Sequence, residues 1–132
     1  MGAKHLILAV DDEVSLCEFY EKTLPFLGYD VAVSLSAKEA REAIRVRKPS
    51  LILMDIMMPG EDGIGFTREL RASNEYSDIP IIVVSGLADA ASLNDALLFG
   101  AVDYIVKPIE IEILKSKIER ALAAVQNRKK NK

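Results

Sequence analysis

Positions 51–55 read Leu51-Ile52-Leu53-Met54-Asp55, an unbroken apolar run that ends on an acid. Three further apolar runs also end on polar residues: Leu6–Val10 before Asp11 and Asp12, Ile81–Val84 before Ser85, and Tyr104–Val106 before Lys107. Such continuous runs of Val, Ile and Leu indicate strands that are buried on both faces of a parallel sheet. Because ligands bind outside the carboxyl ends of these strands, we expect the polar residues to converge in one cleft.

Helix-like segments alternate with the strands, which predicts an α/β fold. Beside the runs above, Asp30–Ser34 is predicted as the second strand. Helical patterns follow the strands, at about Glu13–Leu24, Ala37–Arg47, from the end of the loop Pro59–Gly63 to about Ser73, Asp89 or Ala90 to Phe99, and after Pro108. Five strand–helix units without an internal linker predict a single doubly wound (βα)5 sandwich.

Several local signals set the expected helix details. Pro25 should end or kink the first helix, and Ser36 should cap the second helix in a capping box with Glu39. We also expect two helical stripes to face the core: Val14, Cys17, Tyr20 and Leu24 in the first helix, and Ile111, Leu114, Ile118, Leu122 and Val125 in the last. Leu98 and Phe99 make the end of the fourth helix unusually apolar, either as core residues or with one of them partly exposed.

Bulk composition narrows the function classes. The chain has 132 residues, of which 50% are hydrophobic, and a net charge of −3, which argues against direct nucleic-acid binding. Its apolar runs are too short to span a membrane, so we expect a cytoplasmic protein. We predict a domain over residues 1–127 and assign the basic residues 128–132 to a solvated tail or the start of a linker.

The predicted cleft has the charges of a metal and phosphoryl site. Asp11, Asp12 and Asp55 are three acids, and Lys107 is one base, so a divalent cation that prefers carboxylate oxygens would neutralise them. Helix capping explains the Asp11-Asp12 pair equally well, and turn chemistry could explain Ser85. Asp55 and Lys107 lie in apolar surroundings that give them no structural role of this kind.

These residues belong to a longer series of matching segments: Val10-Asp11-Asp12-Glu13, Met54-Asp55-Ile56-Met57-Met58-Pro59-Gly60, Asp62-Gly63, Val84-Ser85-Gly86, Gly100-Ala101-Val102-Asp103-Tyr104 and Lys107-Pro108. In composition and order the series resembles the response-regulator receiver domains of two-component signalling. The resemblance covers nearly the whole chain, and it implies a flavodoxin-like sheet with the strand order 2-1-3-4-5.

The resemblance also implies roles at the phosphoryl site. Asp55 would accept a phosphoryl group from a histidine kinase or a histidine phosphotransfer protein. Asp12, Asp55 and the carbonyl of Met57 would ligate Mg²⁺ or Mn²⁺ directly, and Asp11 would act through a water. Lys107, in a cis peptide with Pro108, would contact the phosphoryl oxygens.

Further residues would carry the signal away from the site. Ser85 would bind a phosphoryl oxygen, together with the backbone of Met57 and Gly86, and Tyr104 would turn inward when Ser85 moves. The output surface would be the face of helix four, strand five and helix five, which would bind a partner or a second copy. Apolar Met57 and Leu87 would slow hydrolysis of the phosphorylated form.

Two alternatives remain open at this stage. A degenerate receiver would serve only as an interaction module, although the intact set of Asp11, Asp12, Asp55, Ser85 and Lys107 disfavours it. An aspartyl-phosphate-forming phosphatase usually carries a second Asp two residues after the nucleophile, where this chain has Met57. We therefore expect a signalling domain that catalyses only its own phosphorylation and dephosphorylation.

Overall fold

A parallel sheet of five strands organises the computed structural model, which describes residues 4–57, 63–86 and 90–130. The strands are β1 (Leu6–Val10), β2 (Asp30–Ser34), β3 (Leu51–Asp55), β4 (Ile81–Ser85) and β5 (Asp103–Val106). They pair in the order β2-β1-β3-β4-β5, as the resemblance implies. The order reverses between β1 and β3, so the carboxyl ends of these two central strands flank the crevice.

Helices cover both faces of this sheet. Within the described residues they are α1 (Val14–Phe26), α2 (Ala37–Val46), α3 (Gly63–Ala72), α4 (Ala90–Leu98) and α5 (Ile111–Lys130). Helices α1 and α5 pack on one face, and α2, α3 and α4 pack on the other. The predicted doubly wound α/β fold is therefore confirmed.

Alternation along β3 shows how both faces become apolar. Leu51 and Leu53 pack towards α1 and α5, and Ile52 and Met54 pack towards α2 and α3. Successive side chains of a strand point to opposite faces, so a strand covered on both sides needs apolar residues throughout. Asp55 ends this apolar run at the carboxyl edge of the sheet, where it lines a cleft that is open to solvent.

Two predicted core positions are wrong. Val14 is 56% exposed and Ile111 is 48% exposed, although both continue an apolar helical stripe. Each is the first residue of its helix, where the helix has not yet come over the sheet. The other stripe members are buried or half-buried, as expected.

Helix ends also differ from the sequence-based expectations. Pro25 lies inside the last turn of α1, which continues to Phe26. In the capping box of α2, Ser36 Oγ accepts the N–H of Glu39, but the Glu39 carboxylate accepts the N–H of Leu35 instead of that of Ser36. Helix α5 runs to Lys130 and so includes residues 128–130, and the division into a domain over residues 1–127 and a basic tail or start of a linker stays a prediction.

The end of α4 is apolar and exposed. Leu98 is 77% exposed, and the Phe99 ring is partly exposed under the guanidinium of Arg68, 4.6 Å from the ring centroid. Neither side chain is a core residue, and both lie where α4 ends and the chain turns into β5 through Gly100, whose φ is +124°. Over the part of the chain that is described, no helix combines the length and apolar character needed to cross a membrane.

Candidate functional site

Three strands bring oppositely charged side chains together at the carboxyl edge of the sheet. Lys107, which follows β5, places its Nζ 3.1 Å from Oδ2 of Asp11 and 4.0 Å from Oδ1 of Asp55. Asp11 follows β1 and Asp55 ends β3, so the contact joins residues far apart in sequence. Both carboxylates are buried, and the convergence expected from the strand ends is confirmed for these residues.

Backbone N–H groups fix the two buried carboxylates. The N–H of Glu13, just before α1, donates to Oδ1 of Asp11 at 2.9 Å. The N–H of Met57 donates to Oδ1 of Asp55 at 3.2 Å. Both donors lie two residues after the acid that they contact, so the chain orients each carboxylate as it turns away from the strand.

Asp12 completes an acidic cluster. Asp11, Asp12 and Asp55 each offer a carboxylate oxygen, and these oxygens lie within 4.8 Å of one another. Asp12 is exposed, whereas Oδ2 of Asp11 is buried and lies 3.1 Å from the ammonium of Lys107. Carboxylate oxygens grouped in this way are the donor set of a hard divalent cation, and the residues present fit one.

Burial and charge set the protonation of the site. The pKa of Asp55 is raised to about 6, first by burial and then by the Asp11 carboxylate, against the opposing effects of Lys107 and the Met57 N–H. Burial alone would lower the pKa of Lys107, but the carboxylates of Asp11 and Asp55 outweigh it and the pKa is raised. Lys107 is therefore more firmly protonated than a free lysine, whereas the ionised form of the neighbouring Asp55 carboxylate is disfavoured.

The cleft above these groups is open to solvent. The described residues that line it are Asp12, Glu13, Asp55, Met57, Gly86 and Lys107. The backbone N–H of Lys107 donates to the carbonyl of Ser85 at 2.8 Å, and the peptide bond between Lys107 and Pro108 is cis, as the resemblance implies. Met57 and Gly86 thus lie at the cleft as expected, and Leu87 and residues 58–62 fall outside the described residues.

Ser85 and Tyr104 lie to one side of the charged cluster. Ser85 is buried at the end of β4. Val83 and Tyr104 belong to the apolar cluster under α4, and side chains two residues apart share a face, so Ser85 continues the same face. The two predicted switch residues are therefore on the α4 side of neighbouring strands.

Gly63 is a site residue that the sequence did not single out for its role. A Cβ at Gly63 would lie 2.1 Å from the carbonyl oxygen of Asp55 and 2.9 Å from its carbonyl carbon. The N–H of Gly63 also donates to the carbonyl of Ile56 at 2.8 Å. The first turn of α3 can approach the end of β3 this closely only without a side chain.

Comparison with known proteins gives a consistent result. A family model described as the response regulator receiver domain matches residues 7–119. The probable transcriptional regulator ycf27 of Cyanophora paradoxa is 39% identical over 94% of this chain and 51% of its own length. The transcriptional regulatory protein ZraR of Escherichia coli O157:H7 is 36% identical over 89% of the chain and 26% of its own length. The chain thus spans about half the length of the ycf27 relatives that it matches, and about a quarter of the length of ZraR.

Solved structures agree with these sequence relatives. The Vibrio cholerae chemotaxis protein CheY4 superposes with a TM-score of 0.85 at 27% identity, covering 90% of this chain and 99% of that one. A response regulator receiver domain protein from Methanospirillum hungatei has a TM-score of 0.88 at 27% identity, covering 96% and 99% of the two chains.

Proposed function

The chain belongs to the response regulator receiver family of two-component signalling, and on that premise we propose that Asp55 accepts a phosphoryl group from a phosphohistidine. The donor is a histidine kinase or a histidine phosphotransfer protein. One observation carries the proposal: Asp55 is a buried carboxylate at an open cleft, beside both a second buried acid and a lysine ammonium. A purely structural acid gains nothing from a neighbour of the same charge.

The transfer needs positioning and charge neutralisation more than covalent machinery. A carboxylate oxygen of Asp55 forms a bond to phosphorus as the bond from phosphorus to the imidazole nitrogen breaks. The electron pair leaves with that nitrogen, which is protonated by solvent. Lys107 supplies positive charge at the phosphoryl oxygens, and the backbone N–H groups of Met57 and Gly86 donate to them.

The acidic cluster is suited to Mg²⁺ or Mn²⁺. Asp11, Asp12, Asp55 and the carbonyl of Met57 would hold the ion. The ion would supply the two positive charges by which the three carboxylates exceed Lys107. Two unit charges of like sign about 5 Å apart repel by roughly 3 kcal/mol at an effective dielectric constant of 20, so cation binding should be required for phosphorylation.

The signal then has to reach a surface. In our proposal, Ser85 is drawn to a phosphoryl oxygen and Tyr104 moves into the space that Ser85 leaves on the same face of the sheet. The output surface is formed by α4, β5 and α5, where Leu97, Leu98 and Val106 are exposed apolar side chains. It binds a partner or a second copy with a gain of about 1–3 kcal/mol, the usual size of an allosteric coupling.

This proposal describes a signalling domain, and its catalysis extends only to its own phosphorylation and dephosphorylation. The cytoplasmic location expected from the sequence stays a prediction. An interaction module that is never phosphorylated would not need the Asp11–Lys107–Asp55 contacts, and a phosphatase would turn over many substrate molecules. Both alternatives are separated by the following experiment.

Incubation with a small phosphodonor and Mg²⁺ should add one phosphoryl group, detected by intact mass. Asp55→Asn should abolish the addition, EDTA should abolish it in the wild type, and Asp78→Asn, an exposed acid at the other end of the sheet, should leave it unchanged. Persistence of the added mass in Asp55→Asn would overturn the assignment. Multiple turnovers of the donor without a stable adduct would favour the phosphatase.

A further inference from the structure

Lys117 of α5 makes three contacts with a single two-residue unit of β5. Its ammonium donates to Oδ1 of Asp103 at 3.0 Å, donates to the carbonyl of Tyr104, and lies 4.7 Å from the centroid of the Tyr104 ring. The same Asp103 oxygen accepts the N–H of Tyr104 at 2.8 Å. We call this arrangement the Lys117 clamp.

The Lys117 clamp acts on Tyr104, the residue whose ring is expected to move. Strand β5 is an edge strand with β4 as its one neighbour in the sheet, so the Tyr104 backbone is held by the sheet on one side only. The Tyr104 ring is half-buried against the apolar cluster under α4. Lys117 therefore grips the backbone and the ring of Tyr104 from α5, opposite the cluster that packs against the ring from α4.

The charges in the clamp are partly shielded from water. The side chains of Lys117 and Asp103 are each 23% exposed, and both are less exposed than those of Arg45 and Glu42 on α2 or of Lys48 and Asp78 in the loops before β3 and β4. A lysine ammonium has three N–H groups, and the carboxylate, the carbonyl and the ring face together match that number. A cation held by two oxygens cannot follow the ring without giving up those contacts.

We propose that Lys117 is a positioning residue that holds the Tyr104 ring in its present place and thereby sets the threshold of the switch. This inference rests on the proposed function, because it assumes that Tyr104 moves when Asp55 is phosphorylated. Movement of the ring towards Ser85 breaks the ring contact with Lys117, while the Asp103 ion pair remains. The clamp thus opposes the switched state, and the phosphoryl group has to overcome it.

The test uses 3-fluorotyrosine-labelled protein and ¹⁹F NMR, with the Tyr104 signal assigned through Tyr104→Phe. Beryllofluoride with Mg²⁺ serves as the phosphoryl mimic. In Lys117→Met the Tyr104 signal of the free protein should lie part of the way to its beryllofluoride-bound position. The midpoint of the titration should fall about three- to fivefold, the equivalent of one exposed cation–π contact.

Three variants make the result specific. Lys117→Arg keeps a cation and should stay near the wild type, and Lys115→Met removes an exposed charge from the same helix and should have no effect. Asp103→Asn loosens the clamp while keeping Lys117, so it should shift the signal in the same direction by a smaller amount; it also serves if Lys117→Met does not fold.

A Tyr104 signal and midpoint unchanged in both Lys117→Met and Asp103→Asn would overturn the clamp, as would a shift away from the bound position. Intact mass separates this failure from failure of the proposed function. A protein that is phosphorylated on Asp55 but indifferent to Lys117 overturns the clamp alone. A protein that takes up no phosphoryl group overturns the proposed function, and with it the switch on which the clamp acts.

Discussion

The two ends of the sheet treat charge in opposite ways. At the amino end, Lys48 and Asp78 form an ion pair of 3.0 Å, and Arg47 and Asp30 form one of 3.1 Å, all between exposed side chains. At the carboxyl end, two acids are buried side by side with a single lysine between them.

Exposed pairs of opposite charge cost little and contribute little, whereas buried like charges lower stability. A fold that depended only on stability would not place Asp11 beside Asp55. The contrast therefore locates the chemistry at the carboxyl end, and it can be tested by changing one residue at a time at either end.

The largest expected effect comes from the backbone approach beneath Asp55. Gly63→Ala places a methyl group against the Asp55 carbonyl, and backbone atoms cannot rotate away, so α3 has to move and the Gly63–Ile56 hydrogen bond is lost. We expect a loss of about 2–3 kcal/mol in the free energy of unfolding, measured by urea denaturation. Gly86→Ala is the control, since no atom of the described residues lies within 4 Å of its Cβ position. Equal effects of the two substitutions would contradict this account of Gly63.

Removing the buried charge should have the opposite sign. In EDTA at pH 7.5, Asp55→Asn should raise the free energy of unfolding by about 1–2 kcal/mol, because the folded state bears a carboxylate whose pKa is raised to about 6. An acid that binds its proton more tightly when folded destabilises the fold above that pKa, and the cost disappears as the pH falls towards 4.

The gain should accordingly shrink at pH 5, where most of the Asp55 carboxyl groups of the folded protein are protonated. Asp12→Asn, at the exposed acid of the same cluster, should give a smaller gain. A loss of stability in Asp55→Asn at pH 7.5 would mean that the ion pair with Lys107 outweighs the burial of the acid.

A smaller effect is expected at the rim of the cleft. Met57 is 63% exposed and presents an apolar side chain beside Asp55, so it cannot orient a water for attack on the phosphoryl group. Met57→Asn should speed loss of the phosphoryl group about three- to tenfold, up to about 1.4 kcal/mol in the barrier, followed by intact mass over time. Met57→Leu keeps the apolar surface and should decay at the wild-type rate. Identical rates in all three proteins would place the control of water access elsewhere.

The smallest effect belongs to the amino end. Lys48→Met removes one partner of an exposed ion pair and should change the free energy of unfolding by no more than about 0.5 kcal/mol in urea denaturation. A double-mutant cycle with Asp78→Asn should give a coupling of similar size. A loss above about 1.5 kcal/mol would show that charge matters as much at this end as at the other, which would remove the contrast.

The sequence predicts the sheet and its charged edge well because both follow from local patterns. Each strand is a continuous apolar run, and the polar residue at its end is visible without knowledge of its neighbours. Parallel pairing then brings Asp11, Asp55 and Lys107 together whatever the details of the helices. The predicted burial of Val14 and Ile111 is wrong for a related reason. Periodicity shows which face of a helix is apolar, but not where along its length the helix begins to cover the sheet.

Contacts between elements are what the sequence could not provide. Gly63 lies in a turn-rich segment, and only the distance to the Asp55 carbonyl shows why a side chain is excluded there. Lys117 is one of several lysines and arginines on α5, and nothing local distinguishes it from Lys115. The sequence does not decide between core and surface for Phe99, and only the structure shows that its ring is partly exposed and contacts the guanidinium of Arg68 from another helix.

The reactivity of Cys17 offers a measure of local opening next to the acidic cluster. It is the one cysteine of the chain, it is buried in α1, and its thiol donates to the carbonyl of Asp11 at 3.3 Å. Burial and the nearby Asp11 carboxylate raise its pKa to about 11, so little of the buried thiol is present as the reactive thiolate. We therefore expect labelling of this thiol to proceed through a local opening of α1. The rate of reaction at this sulfur would measure how often α1 opens next to the acidic cluster. Comparing the rate with and without a divalent cation would show how far cation binding slows that opening.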